Sequence, residues 1–80
     1  MRNSEVAQIL REIAVLLEIK GENRFRVLAY QEAARKIESW PEAIEVLAEE
    51  GRLREISGIG EGLSAKIEEY LRTGKIEYLE

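Results

Sequence analysis

Two glycines separated by one residue, Gly58 and Gly60, stand directly before an amphipathic segment and constrain the fold more than any other feature of this chain. Glycine tolerates positive φ angles and allows another molecule to approach the backbone closely. Apolar residues on both sides of the pair would clamp two short helices together: Leu53 and Ile56 before it, Leu63 and Ile67 after it. Residues 53–71 therefore predict two helices joined by a protruding hairpin turn.

The backbone of this turn suits an anion. The N–H groups of a glycine turn and the first free N–H groups of the next helix point outward together, at the positive end of the helix dipole. Phosphate is a common ligand of such sites. A third glycine, Gly62, costs the helix about 1 kcal/mol relative to alanine and would be explained by a ligand close to the backbone. The layout is that of a helix-hairpin-helix, which grips a nucleic-acid backbone without reading bases; the alternative is a plain corner whose glycines only make the turn.

Composition limits the possible functions. Eighty residues make one small domain, and the chain has no cysteine and no histidine, which removes disulfides, thiol chemistry and the commonest general base and metal ligand. Apolar runs are too short to span a membrane and no secretory signal is visible, so we expect a cytoplasmic location with no membrane partner. The net charge of −4 argues against indiscriminate nucleic-acid binding, although backbone amides can hold a phosphate on an acidic domain.

The apolar spacing predicts an all-α, compact bundle of about four to five short helices in a single domain, residues 1–80, and no segment alternates as a strand does. Asn3 or Ser4 is expected to cap the first helix, which Gly21 ends, and Asn23 is expected to cap the second. The residues expected to face inward on the second helix are Phe25, Leu28, Ala29, Ala33 and Ile37.

The second half of the chain predicts two more helices. Pro41 fits the first turn of a third helix, which has Ile44 and Leu47 on its inner face and ends at Gly51. A short turn over residues 52–56 leads into the hairpin. The last full helix is expected from about residue 61 to residue 73, before Gly74, with Leu63, Ile67, Tyr70 and Leu71 inside. Residues 75–80 would begin another turn, and we expect the chain to be a piece of a longer protein.

Two blocks, KGENRFRVLAYQEAARKIES and ISGIGEGLSAKIEEYLRTGKIEYLE, resemble the small N-terminal domain of family X DNA polymerases, the DNA polymerase beta group, most closely its bacterial and archaeal branch. The resemblance covers residues 3–80. It implies a helical bundle with one helix-hairpin-helix that binds the downstream side of a DNA gap and holds the 5′-phosphate during repair synthesis. It also implies palm and fingers domains in the full-length context. We further expect the domain to bind the DNA backbone independently of sequence and to be a monomer. The chain has no aspartate for polymerase chemistry of its own.

The resemblance assigns roles to particular residues. Arg26 and Tyr30 match residues that line the 5′-phosphate pocket, and both side chains donate hydrogen bonds to phosphate oxygens. The backbone carbonyls of Arg54, Ile56 and Ile59 would hold a monovalent cation, sodium or potassium, and no other cofactor is expected. The full phosphate-binding set is Gly58, Ile59, Gly60, Gly62, Arg26, Tyr30 and Lys75.

Some family members also remove a 5′-deoxyribose phosphate through a lysine that forms a Schiff base, and that position matches Lys66. The positive start of the helix and a neighbouring arginine would favour a nucleophilic amine there. The alternative is a solvated lysine paired with Glu68 or Glu69. Whether the domain is an enzyme stays open at this point.

This sequence departs from the family pattern on the DNA-facing side. Two positions that are basic in the family are occupied here by Gly62 and Tyr78. Ser57 stands where the family usually has a proline just before the hairpin. The arginine-rich run after Val27 is replaced by Leu28, Gln31 and Glu32. Fewer phosphate contacts mean weaker binding, because affinity rises with the number of phosphates neutralised. All sixteen acidic residues are glutamate, so a thermophilic origin, or an engineered scaffold that keeps the fold without DNA binding, is a further alternative.

Overall fold

The computed structural model describes residues 1–76, and over that range the chain is helical with no strand, which confirms the all-α prediction. The helices are α1 (Asn3–Ile19), α2 (Arg24–Ser39), α3 (Ile44–Glu49) and α4 (Glu61–Thr73), with a 3₁₀ turn at Leu53–Glu55. None of the helices in this range has the length and apolarity that a membrane crossing requires. The turn expected over residues 75–80 extends beyond the described residues, and Tyr78 lies outside them.

Local sequence signals set several helix ends as predicted. Asn23 caps α2, because its Oδ1 accepts a hydrogen bond from the N–H of Phe25 at 2.7 Å. Gly21, Gly51 and Gly74 follow the ends of α1, α3 and α4 with φ angles of +73°, +68° and +79°. These angles belong to the left-handed region that ends helices and favours glycine. The bounds predicted for the last helix are those observed for α4.

The prediction that Asn3 or Ser4 caps α1 is wrong. Both residues lie inside α1, and the residue before it makes no side-chain capping bond. Asn3 is instead buried, at 3% exposed, and its Nδ2 donates to the carbonyls of Ile37 (3.1 Å) and Glu42 (2.9 Å). Its Oδ1 accepts from the N–H of Ile44 at 2.9 Å. Asn3 therefore caps α3, 41 residues further along the chain.

The third helix begins later than expected. Pro41 lies in the bend before α3, which starts at Ile44, because the preceding Ala43 is still extended (φ −66°, ψ 129°). Alanine has no side-chain acceptor for the first N–H groups of the helix, and Asn3 supplies one. Ile44 and Leu47 are fully buried, as predicted.

The inner face of α2 differs from the prediction. Phe25 is 81% exposed, Leu28 is 40% exposed and Ala29 is also exposed. Two apolar stripes run along this helix and share Ala33 and Ile37. The stripe that faces α1 is not the predicted one with Phe25 and Leu28 but the second. Its members are Val27, Tyr30, Ala33, Ala34 and Ile37. Side chains three and four residues apart share a face, so Phe25 and Leu28 belong to the opposite side.

Helices α1 and α2 pack as an antiparallel pair, and α3, the 3₁₀ turn and α4 complete the core beside them. Four alanines at the α1–α2 contact are at most 1% exposed and allow the two helices to approach closely: Ala7, Ala14, Ala33 and Ala34. The radius of gyration is 11.7 Å, close to the value of about 11.6 Å expected for a compact chain of this length. Leu63 and Leu71, expected inside, are half-buried against the core, whereas Ile67 and Tyr70 are buried.

The first turn of α1 also binds the last turns of α4. The Tyr70 hydroxyl donates to the Glu5 carboxylate, and Arg2 lies over the Tyr70 ring at 5.6 Å while its Nη1 donates to the carbonyl of Leu71 at 3.3 Å. Arg2 also pairs with Glu5 at 2.9 Å. The hydrogen bonds from Arg2 and then Tyr70 lower the pKa of Glu5 to about 2. The neighbouring carboxylate in turn raises the pKa of Tyr70.

Candidate nucleic-acid interface

The hairpin of residues 57–60 is held by isoleucines that point inward. Ile59, in the middle of the turn, is 3% exposed and packs into the core, whereas Gly58 and Gly60 on either side are exposed. The residues that clamp the flanking helices are at most 1% exposed: Leu53, Ile56 and Ile67. The apolar clamp expected from the sequence is present, and it leaves the glycine backbone at the surface.

The two hairpin glycines have different conformational roles. Gly58 has a φ angle of +91°, which L-residues rarely adopt, so the turn requires glycine there. Gly60 is the N-cap of α4 and is extended, with φ −95° and ψ −166°. Its carbonyl accepts from the N–H of Ser64 at 3.0 Å and so begins the helix. Nothing lies within 4 Å of a Cβ built on Gly60, so its surroundings are open.

Several N–H groups at this turn have no acceptor within residues 1–76. They belong to Gly58, Gly60, Glu61, Gly62 and Leu63. The last four are the donors that a helix start leaves unpaired, and the N–H of Gly58 belongs to the turn before them; all five adjoin the positive end of the α4 dipole. The N–H of Ile59 differs, because it donates to the carbonyl of Ile56 at 3.0 Å within the turn. Within residues 1–76, the N–H groups still available to an anion are therefore the glycine amides and the first turn of α4, without Ile59.

The carbonyls of Arg54, Ile56 and Ile59 flank the same turn and are neutral oxygen ligands of the type that alkali cations take in proteins. The Ile56 carbonyl already accepts one hydrogen bond, from Ile59, which leaves its second lone pair. The residues present thus fit a monovalent cation. A cluster of three or more carboxylates, histidines or cysteines for a harder or softer metal is absent from the described part of the chain.

The two residues expected in the 5′-phosphate pocket lie on α2. Arg26 is exposed and forms an ion pair with Glu22 at 3.0 Å, so part of its charge is neutralised. Tyr30 is 4% exposed and its ring belongs to the core. Arg26 precedes Lys36, the α2 residue that reaches the hairpin, by ten positions, which is about 15 Å along the helix axis. Arg26 therefore marks a place separate from the hairpin along α2.

The two lysines of the prediction lie at opposite ends of α4. Lys66 is half-buried on the second turn of the helix, as expected. Lys75 is exposed beyond the other end, where its N–H donates to Thr73 Oγ1 at 3.2 Å. The N–H of Gly74 donates to the carbonyl of Tyr70 at 2.7 Å. The Thr-Gly-Lys segment thus terminates α4, and the structure does not gather Lys66 and Lys75 at one site.

Sequence reasoning missed Lys36. Its Nζ donates a hydrogen bond to the carbonyl of Ser57 at 2.9 Å. A Cβ built on Gly58 would lie 3.6 Å from the same Nζ. The helix pattern of α2 contains no signal for this contact, because the two partners are 21 residues apart and meet only when α2 packs beside the hairpin.

Charge is distributed unevenly around the fold. Five arginines form ion pairs with glutamates within 4 Å: Arg2, Arg11, Arg26, Arg35 and Arg52. Arg52 bonds to Glu55, Glu50 and Glu42, which together raise its pKa. Arg54 and Lys36, which flank the hairpin, form no ion pair among residues 1–76. Much of the positive charge elsewhere is therefore compensated, while the hairpin keeps two cations.

Comparison with known proteins agrees with this geometry. A family model described as a helix-hairpin-helix domain matches residues 1–76. The chain is 36% identical over its full 80 residues to the DNA polymerase/3′-5′ exonuclease PolX of Bacillus subtilis (strain 168), and it spans 14% of that relative's length. The match confirms the resemblance to a family X polymerase found in the sequence. Since the family model covers nearly the whole chain and the structure contains the braced glycine hairpin, this chain belongs to the helix-hairpin-helix domain family.

Proposed function

We propose that this domain binds the DNA backbone without regard to sequence and recognises the 5′-phosphate at a gap, as a substrate-positioning domain in repair synthesis by a family X polymerase. The observation that carries the proposal is the set of unpaired N–H groups at Gly58, Gly60 and Gly62. They adjoin the start of α4 and are exposed in a turn held rigid by buried isoleucines. Such donors bind phosphate oxygens and carry no base specificity.

The amide of Gly60 offers a clean test. Gly60→Pro removes an N–H that the fold does not use, at a φ angle of −95°. Gly60→Ala keeps the N–H and places its Cβ in open space. Losing one hydrogen bond to a charged group costs about 1.5–3 kcal/mol, or roughly 10-fold to 150-fold in affinity.

The measurement is fluorescence anisotropy with DNA that carries a one-nucleotide gap, in the presence and absence of the 5′-phosphate. We expect the wild-type protein and Gly60→Ala to prefer the phosphorylated gap and Gly60→Pro to bind at least ten times more weakly. Circular dichroism establishes that both variants are helical. Equal and weak binding of both DNAs by the wild-type protein would instead support a scaffold that keeps the fold without the function.

A monovalent cation at the carbonyls of Arg54, Ile56 and Ile59 is part of the proposal. It would place positive charge between neutral oxygens and a DNA phosphate. At equal ionic strength, we expect weaker DNA binding in tetramethylammonium chloride than in sodium or potassium chloride, because the large organic cation cannot enter a carbonyl site. Identical affinities in the three salts would remove the cation from the proposal.

A second candidate activity is 5′-deoxyribose-phosphate lyase with Lys66 as the nucleophile. The supporting observation is its half-buried position on the second turn of α4, the helix whose start carries the proposed phosphate donors. The amine would condense with the sugar aldehyde and release water, and borohydride would reduce the resulting Schiff base to a stable adduct. We expect trapping on an incised abasic substrate by the wild-type protein and none by Lys66→Ala. An adduct that persists in Lys66→Ala would exclude this residue as the nucleophile.

A further inference from the structure

We propose that Lys36 is a further phosphate-binding residue, which α2 contributes to the hairpin as a fixed positive charge. The inference rests on the proposed function and adds a side chain to a site otherwise built from backbone amides. It begins from one contact, the 2.9 Å hydrogen bond from Lys36 Nζ to the carbonyl of Ser57. This contact fixes the end of a long, flexible side chain at the entrance to the glycine turn.

The surroundings of the ammonium favour an anionic ligand. A lysine has three N–H donors, and only one of them is used by Ser57 within the described residues. The Nζ lies beside Gly58, at ordinary contact distance, 3.6 Å, from a Cβ built there. The N–H of Gly58 itself has no acceptor in the described part of the chain. A phosphate at Gly58 would therefore meet both a backbone donor and an adjacent cation.

The two carboxylates of α2 within four residues of Lys36, Glu32 and Glu38, form their salt bridges with arginines. Glu32, one turn earlier, pairs with Arg35 at 2.7 Å, although it also interacts electrostatically with Lys36. The hydrogen bond of Lys36 goes to a neutral carbonyl and no salt bridge among residues 1–76 involves this lysine, so its charge remains accessible to a ligand. A lysine that served only to join α2 to the hairpin would need the hydrogen bond but would not need to be charged.

Salt dependence separates these two roles. Lys36→Met removes the charge and keeps most of the apolar side chain, while Lys36→Arg keeps the charge. One phosphate contact on duplex DNA contributes about 0.9 to the slope of log affinity against log salt concentration. We expect Lys36→Met to lower the magnitude of that slope by about 0.9 on gapped DNA, so that its loss of affinity is about eightfold at 0.1 M salt and about fourfold at 0.2 M. Lys36→Arg should keep the wild-type slope.

The matched control is Arg72→Met, which removes one positive charge that forms no salt bridge among residues 1–76, about 17 Å along α4 from Glu61, at the far end of the helix. It should leave the slope unchanged. A wild-type slope in Lys36→Met, with or without a loss of affinity, would overturn the phosphate contact and leave a bracing role. Gly60→Pro, measured in parallel, distinguishes the outcomes: if it abolishes binding while Lys36→Met keeps the slope, the hairpin function stands and only the role of Lys36 fails.

Discussion

The carboxamide of Asn3 uses donor and acceptor atoms together to satisfy backbone groups in three places. It joins the end of α2, the bend before α3 and the first N–H of α3. Among residues 1–76, the N–H of Ile44 and the carbonyl of Glu42 have no other partner, and a polar atom left without one in or near the core costs more than a hydrogen bond gains. A residue that a local pattern assigns to its own helix thus holds together segments distant in sequence.

Replacing Asn3 should show this role in stability. We expect Asn3→Ala to lower the free energy of unfolding by about 2–3 kcal/mol, because it leaves the N–H of Ile44 and the carbonyl of Glu42 without partners among residues 1–76. Ser4→Ala, at the exposed neighbouring position, should change it by less than about 0.5 kcal/mol. Urea unfolding followed by circular dichroism measures both. Similar values for the two variants would contradict the capping of α3 by Asn3.

The cluster of Arg2, Glu5 and Tyr70 predicts that the stability of the fold decreases at acidic pH. The pKa of Glu5 is about 2 in the folded protein and near 4.5 in the unfolded chain. Between these values the unfolded state binds more protons, so the contribution of Glu5 is present above pH 4.5 and is lost as the pH falls toward 2. In thermal unfolding between pH 2 and pH 5, the wild-type midpoint should fall more steeply than that of Glu5→Gln. Parallel curves would indicate that the carboxylate is not specifically stabilised.

At the scale of elements, the hairpin divides its requirements between its two glycines. Gly58 provides the positive φ angle, whereas Gly60 provides an unobstructed N–H in extended backbone. The pair looks equivalent in sequence, but only the first is dictated by backbone geometry. The fold has little need of glycine at position 60, and the proposed phosphate ligand is the stronger reason for it.

This division can be measured by matched alanine substitutions. Gly58→Ala should lower the free energy of unfolding by about 1–2 kcal/mol, because an L-residue at φ +91° is strained. Gly60→Ala, with open space around it, should change stability by about 0.5 kcal/mol or less. Thermal or urea unfolding distinguishes them. The opposite order would place the conformational requirement at Gly60.

The elements also show what sequence can predict. Asn23, Gly21 and Gly74 mark helix ends through bonds within a few residues, so their signals are readable locally. The buried face of α2 cannot be predicted from sequence, because two apolar stripes overlap on this helix. Only packing against α1 selects the stripe without Phe25. The glycine donors of the site follow from local turn chemistry, while the contact of Lys36 with the hairpin depends on tertiary packing across 21 residues.

For the whole molecule, the net charge of −4 and a DNA-binding role are compatible because the charges are sorted. Many exposed arginines are compensated by glutamates, while the hairpin combines backbone donors with Lys36 and Arg54. The negative charge that most opposes phosphate binding at the hairpin is that of Glu61, which is exposed in the first turn of α4 beside the glycine amides. A carboxylate there favours the helix start but competes with a phosphate for the same donors.

Removing that carboxylate should strengthen DNA binding. We expect Glu61→Gln to raise affinity for gapped DNA about threefold to fivefold at 0.1 M salt, since a like charge about 4 Å away costs about 1 kcal/mol in water. Glu49→Gln changes the net charge equally on the exposed end of α3 and should have little effect. Anisotropy titrations of both variants give the comparison. Equal gains would show a general effect of net charge rather than a local one.

The contacts of the first turn of α1 have a consequence for biosynthesis. A ribosome releases residues 1–39 early, and α1 and α2 can pair as soon as both have emerged. The amide of Asn3, however, meets its last partner only with residue 44, and Arg2 and Glu5 meet theirs only with residues 70 and 71. Within this domain, the first turn of α1 therefore emerges before the partners that complete its contacts, and the domain reaches its final structure in a step that follows translation of α4.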